Sequence, residues 1–103
     1  MTGVQTCALP IYSALARADL SDIWDHTVAY WGISQAEKYI RDIEKQIDKL
    51  AMFPFLGQAC DELRVGYHRI LIGRHIAFYQ KTSTGIRVVR ILHQSMDHKS
   101  HLR

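Results

Sequence analysis

The spacing of apolar residues changes character midway along the chain. From Ser13, the residues Ala16, Leu20, Ile23, Trp24, Thr27 and Trp31 recur three and four apart, which is one face of a helix. Ser13 is placed to cap its first turn. Gly32 is placed to end it, because glycine readily takes the left-handed conformation at a helix end. Asp19, Asp22 and Asp25 fall mostly on other faces. A second helix follows at once. Ser34 and Glu37 form a capping box, in which each side chain satisfies a free backbone N–H. Ala36, Ile40, Ile43, Ile47, Leu50 and Ala51 then make an apolar stripe, which Pro54 stops. So short a link makes the two helices antiparallel.

After the loop "FPFLGQACD" the period falls to two. "ELRVGYHRILIG", "RHIAFYQK" and "IRVVRILH" are rich in β-branched and aromatic residues and read as strands. "TSTG", residues 82–85, is a turn that pairs the last two as a hairpin. Alternation along the last strand puts Ile86, Val88, Arg90 and Leu92 on one face, and Arg87, Val89, Ile91 and His93 on the other. The expected fold is α+β: an N-terminal antiparallel helical hairpin packed on a three- to four-stranded, mainly antiparallel sheet.

Composition adds limits. With 103 residues, 48% of them hydrophobic and 22% charged, the chain affords one soluble domain, assigned to 13–103. No apolar run approaches the ~20 residues needed to span a bilayer. Residues 1–12 stand apart: "MTGVQTCALPI" lacks the basic start and apolar core of a secretory signal. Pro10 restricts that segment to an edge strand or a loose arm. It also resembles a translated sequencing-adapter sequence, and no function is assigned to it. Two cysteines are too few for a disulfide scaffold and fit a reducing cytoplasm. The net charge of +3 conceals a division. Residues 1–61 hold five Lys/Arg against eight acids, whereas residues 62–103 hold eight Lys/Arg against Glu62 and Asp97 alone. A basic face in the second half could meet an acidic partner or simply be solvated.

In order and spacing, these stretches resemble the ParE branch of the RelE/ParE toxins of bacterial toxin–antitoxin pairs. "SALARADLSDIWDHTVAYWG" is similar to that family's first helix, and "SQAEKYIRDIEKQIDKLAMFPFLG" to its second helix and following loop. "DELRVGYHRILIGRHIAFYQ" and "VVRILHQSMDHKSHL" are similar to its strands and closing segment. Two departures stand out: "CALPIY" replaces the usual tyrosine-containing first strand, and His68 stands where arginine is common. The resemblance implies a toxin of a type II toxin–antitoxin module, neutralised by a ParD-like antitoxin in a hetero-oligomer. It implies DNA gyrase as the target, inhibited by binding, in the cytoplasm, with no membrane and no cofactor. The surface expected to meet target or antitoxin comprises Arg64, Tyr67, Arg74, Tyr79, Arg87, Arg90, His93, Met96 and Asp97.

The alternative is the ribosome-dependent mRNA cleavage of RelE-type members. Cutting RNA without metal needs a base, an acid and cations about the phosphate. Arg64, Arg74, Tyr79, Arg90 and His93 are the residues that could supply them. The closing "HQSMDHKSHL" lacks the terminal tyrosine or arginine those nucleases use, so the binding reading stands first. Bland roles compete for the same residues. Arg64 and Arg90 could pair with Asp61, Glu62 or Asp97, Tyr67 and Tyr79 could be core-edge aromatics with wet hydroxyls, and Trp24 and Trp31 fit the helix core stripe. His93, Asp97, His98 and His101 are ligand types for zinc, but no Cys pair or H-E-x-x-H accompanies them, and no metal is expected. In the preferred reading of the tail, Met96 plugs the end of the core, Asp97 caps a terminal helical turn, and His93 sits near Asp97.

Overall fold

The structure, a computed structural model, describes residues 10–102. It comprises β1 (Ile11–Tyr12), α1 (Ala14–Trp31), α2 (Ile33–Met52), a 3-10 turn (Pro54–Leu56), β2 (Gln58–Ala59), β3 (Tyr67–Ile72), β4 (His75–Thr82), β5 (Gly85–His93) and α3 (His98–His101). The sheet has five strands in the order β1-β5-β4-β3-β2. All pairings are antiparallel except that of β1 with β5. The two added strands lie at the edges and hold two residues each, too few to stand out as periodic. The α+β layering expected from the pattern is present. Residues 1–9 of the atypical N-terminal segment lie outside the described residues.

α1 starts as expected: Ser13 Oγ accepts from the Ala16 N–H at 3.0 Å. Its end is also as expected, with Gly32 at φ 91° donating its N–H to the Val28 carbonyl. That left-handed turn lets α2 begin immediately at Ile33, with Gly32 as its N-cap. Ser34 therefore lies inside the helix, and the capping box does not form: no side chain caps α2. The α2 stripe is sound, with Ala36, Ile43, Ile47, Leu50 and Ala51 buried. The α1 stripe needs two corrections. Trp31 is 71% exposed at the hairpin tip, outside the apolar core, and Asp19 is buried beside Ala16 and Ile23. Position 19 follows Ala16 by three and precedes Ile23 by four, so the same periodicity places it on the apolar face.

The sheet is packed on both sides. Under the helices, Ile43, Ile47 and Leu50 meet Ile72, Ala77, Tyr79, Ile86, Val88 and Ile91. On the far side, Phe78, Val89 and Leu92 meet Cys60 and Leu102. Strict alternation along β5 fails because of a bulge. Phe78 pairs with Arg90 but Tyr79 with Val88, leaving Val89 as an extra residue. Ile86, Val88 and Ile91 consequently face the helices, while Val89 and Leu92 face away.

Candidate functional site

The bulge decides what happens to Arg90. It forms a forked pair with Asp19 of α1: Nε and Nη2 each donate to a carboxylate oxygen at 2.8 Å. Asp19 also accepts the Ile91 N–H at 2.9 Å. β1 is too short to satisfy the outer edge of β5, and α1 completes the work. Ser13 donates its N–H to the Val88 carbonyl and its hydroxyl to the Val89 carbonyl, and Asp19 takes the next free amide. Bonding to Asp19 raises the pKa of Arg90 further above its ordinary value. Sequence reasoning misses Asp19 by grouping it with its exposed neighbours Asp22 and Asp25. A lone acid on an apolar helix face, with an arginine inside an apolar strand, is the signal that could have found it.

The remaining guanidinium nitrogen of Arg90 reaches the C-terminal tail: Nη1 donates to the His101 carbonyl at 3.2 Å. Arg64 does likewise, with Nη1 donating to the Leu102 carbonyl at 3.3 Å while its guanidinium lies 5.7 Å from the centre of the Tyr67 ring. The two arginines thus hold the tail over the far side of the sheet. Neither pairs with Asp61, Glu62 or Asp97. Asp61 accepts the Gly66 N–H, Glu62 lies 3.6 Å from Arg69, and Asp97 takes the Ser100 hydroxyl. Around this tail Arg64, Tyr67, Arg87 and Arg90 gather with Lys99 and His101 into a basic surface facing away from the helices. Arg87 is exposed there and reaches Gln80 at 3.5 Å.

Of the remaining expected residues, Asp97 lines the tail surface beside Arg64 and Lys99, and the others lie elsewhere. Tyr79 is fully buried beneath the helices, so its hydroxyl is not wet: it donates to the Pro54 carbonyl at 2.7 Å. Burial pushes its pKa up. Arg74 and His93 sit on the helix side, in a cleft with Trp31, Tyr39 and His75. Met96 is 38% exposed and does not plug the core. Leu102, 3% exposed, takes that place, six residues further on and beyond the α3 turn. Asp97 does occupy the N-cap of α3, but its carboxylate bonds to Ser100, which lowers its pKa. His93 turns away from it, with Nδ1 bonded to the Ser95 hydroxyl at 2.7 Å. Among the described residues no three His, Cys, Asp or Glu side chains come together as a metal set.

Residues 11–98 match the family described as the ParE toxin of type II toxin–antitoxin systems, parDE. The chain belongs to the ParE toxin family. The match begins at Ile11, so the short β1 lies within the family's domain. Toxin ParE1 of Mycobacterium tuberculosis is 48% identical over 88 residues, spanning 84% of this chain and 90% of that one. Toxin ParE1 of Caulobacter vibrioides is 40% identical over 90 residues, spanning 87% and 93%. The fold is also that of a chain in the chromosomal ParDE system from P. aeruginosa, with a TM-score of 0.73 at 24% identity, covering 84% and 96%. As a ParE toxin, the chain is one half of a toxin–antitoxin module. No helix among the described residues is long and apolar enough to cross a membrane.

Proposed function

We propose that this ParE toxin inhibits DNA gyrase by binding it, in the cytoplasm, and that a ParD-like antitoxin neutralises it in a hetero-oligomer. The observation that carries the reading is the family match over residues 11–98, joined to relatives 48% and 40% identical that are both named Toxin ParE1. The structural neighbour comes from a ParDE system, which supports the antitoxin. The dispersal of the five RNase residues supports binding over cleavage. Tyr79 is spent on Pro54 inside the core, Arg90 on Asp19, and Arg64 on the tail. Arg74 and His93 share a cleft on the helix side, and His93 and Arg90 both line the hollow beside it. Tyr79, Arg64 and Arg90 are already engaged and do not join Arg74 and His93 in that cleft as the further cations and proton-transfer groups of a cleavage site. Their basic neighbours on the far surface, Arg87 and Lys99, suit contact with an acidic protein surface or DNA phosphate. Inhibition then works by preference for one state of the enzyme, without bonds made or broken by the toxin.

The test is a supercoiling assay with purified gyrase and the full chain. The expected result is loss of supercoiling and accumulation of linear DNA, both reversed by the antitoxin. Unchanged supercoiling, with mRNA cut only when ribosomes are present, would replace this reading with the RelE-type one.

A further inference from the structure

The helix-side cleft lies outside the basic surface just described. It has a volume of about 410 Å³ and is lined by Trp31, Gln35, Tyr39, Arg74, His75 and His93 among others. Its organising atom is the Tyr39 hydroxyl. That oxygen accepts the Arg74 N–H at 3.0 Å and lies 2.7 Å from His75 Nδ1. Its other acceptor, the Ile72 carbonyl, is 3.4 Å away, long for an O–H···O bond, so its proton goes to Nδ1. The Tyr39 ring seats against Gly73, where a Cβ would lie 2.7 Å from the ring and where φ is +60°. The turn between β3 and β4 is therefore shaped around this one side chain.

Both strand histidines consequently present the same end to the cleft. His75 accepts at Nδ1 from Tyr39, and His93 accepts at Nδ1 from the Ser95 N–H at 3.1 Å. In each neutral ring the proton then sits on Nε2, leaving an N–H donor without a partner among the described residues. The two residues face each other across β4 and β5, with ring centres 5.3 Å apart. The same tautomers disfavour a metal: Nε2 ligation would put the proton on Nδ1, where His93 already faces the Ser95 N–H. Arg74 adds an exposed guanidinium with no ion pair or side-chain hydrogen bond among the described residues. Trp31 adds an indole face that is 71% exposed. The nearby acids do not cancel these donors. Asp19 is taken by Arg90, and Asp22 lines a neighbouring hollow and not this cleft.

A ligand for such a cleft is an acceptor-rich anion on a flat body. We propose that the cleft binds a nucleoside monophosphate, with the phosphate held by Arg74 and the Nε2–H groups of His75 and His93, and the base stacked on Trp31. A phosphate offers oxygens in three directions to donors arriving from a turn and two strands. A carboxylate offers two in one plane.

The test titrates adenosine 5′-monophosphate, adenosine and N-acetylglutamate into the full chain. It follows the histidine ring resonances by NMR and the affinity by calorimetry. The expected result is that the monophosphate binds at least ten-fold more tightly than either comparison ligand and moves the His75 and His93 signals first. Arg74→Gln should lower monophosphate affinity at least ten-fold and leave adenosine unchanged, whereas Trp31→Ala should weaken both. Both residues are exposed, so neither variant threatens the fold. Equal binding of monophosphate and adenosine overturns the site. So does equal binding of N-acetylglutamate, or an affinity that Arg74→Gln does not change. No gyrase enters the experiment, so its outcome is separate from the reading of the toxin's target.

Discussion

Under the helices, the sheet is sealed by two long elements whose apolar stripes run its full length, Ile43, Ile47 and Leu50 foremost. The far side is sealed by a loop and a tail: Cys60 and Leu63 before β3, and Leu102 after α3. Both produce fully buried centres, Tyr79 on one side and Phe78 on the other, one residue apart in β4. The first seal is held mainly by burial spread over many turns. The second depends on a few polar contacts to the tail, Arg64 to the Leu102 carbonyl and Arg90 to that of His101, with the His98 ring set edgewise 5.2 Å from Phe78. Broad apolar contact tolerates local opening, whereas a tail held at a few points can lift as a unit. The basic surface lies on the side that can lift.

The largest effect should come from the helix side. Ile47→Ala removes a fully buried branched side chain from the centre of α2 and should cost about 3–4 kcal/mol in urea unfolding. Next is the pair that joins the two sides. Asp19→Ala strands the Arg90 guanidinium and the Ile91 N–H together and should cost about 3 kcal/mol. Adding Arg90→Met should recover part of that loss, because the unpaired charge goes with it. If the double variant is no more stable than Asp19→Ala, the pair does not act as a unit.

The contrast between the sides also explains what could be read from the chain. α2 is legible because Ala36, Ile43, Ile47 and Leu50 repeat without interruption and one periodicity covers the helix. The strands β3, β4 and β5 and the 82–85 turn are legible for the same reason. β5 becomes illegible at Val89, because a one-residue bulge reverses every later side chain and no Gly or Pro marks it. The capping box at Ser34 is a sound local pattern overridden by Gly32, whose left-handed turn starts α2 early. Arg90 with Asp19 spans 71 residues, and only the packed helix brings them together. In the tail, residue type points to Met96 as the plug, whereas the chain places Leu102 there. A single apolar residue at the end of a turn has no periodicity to reveal it.

Two smaller changes sharpen the comparison. Leu102→Ala should cost about 2 kcal/mol and speed the reaction of buried Cys60 with a thiol reagent, while amide exchange in α2 stays unchanged. Faster exchange in α2 would mean that the two seals open as one. Tyr79→Phe leaves the ring in place but removes the donor to the Pro54 carbonyl, and should cost about 1 kcal/mol in thermal unfolding.

The last expected effect is one of pH, and it belongs to the helix side alone. His75 is held down to about 4 from its ordinary 6.5, chiefly by burial, then by His93 and His26, with Asp19 opposing. Tyr39 faces it from α2 through the 2.7 Å bond. Between pH 6.5 and 4 the unfolded chain takes up a proton at this residue that the folded chain refuses. The stability it contributes is therefore complete above pH 6.5 and declines as pH falls toward 4. His75→Gln cannot take up that proton, so its urea midpoint should fall less between pH 7 and pH 5 than that of the parent chain. The far side offers an internal comparison. The carboxylate of Asp97, lowered by Ser100, helps the fold while ionised and loses that effect only as pH falls through its depressed pKa. An Asp97→Asn variant should therefore keep the parent's slope between pH 7 and pH 5, with both measured by the same midpoint. If Asp97→Asn flattens the profile and His75→Gln does not, the pH-sensitive seal is the tail and not the helical hairpin.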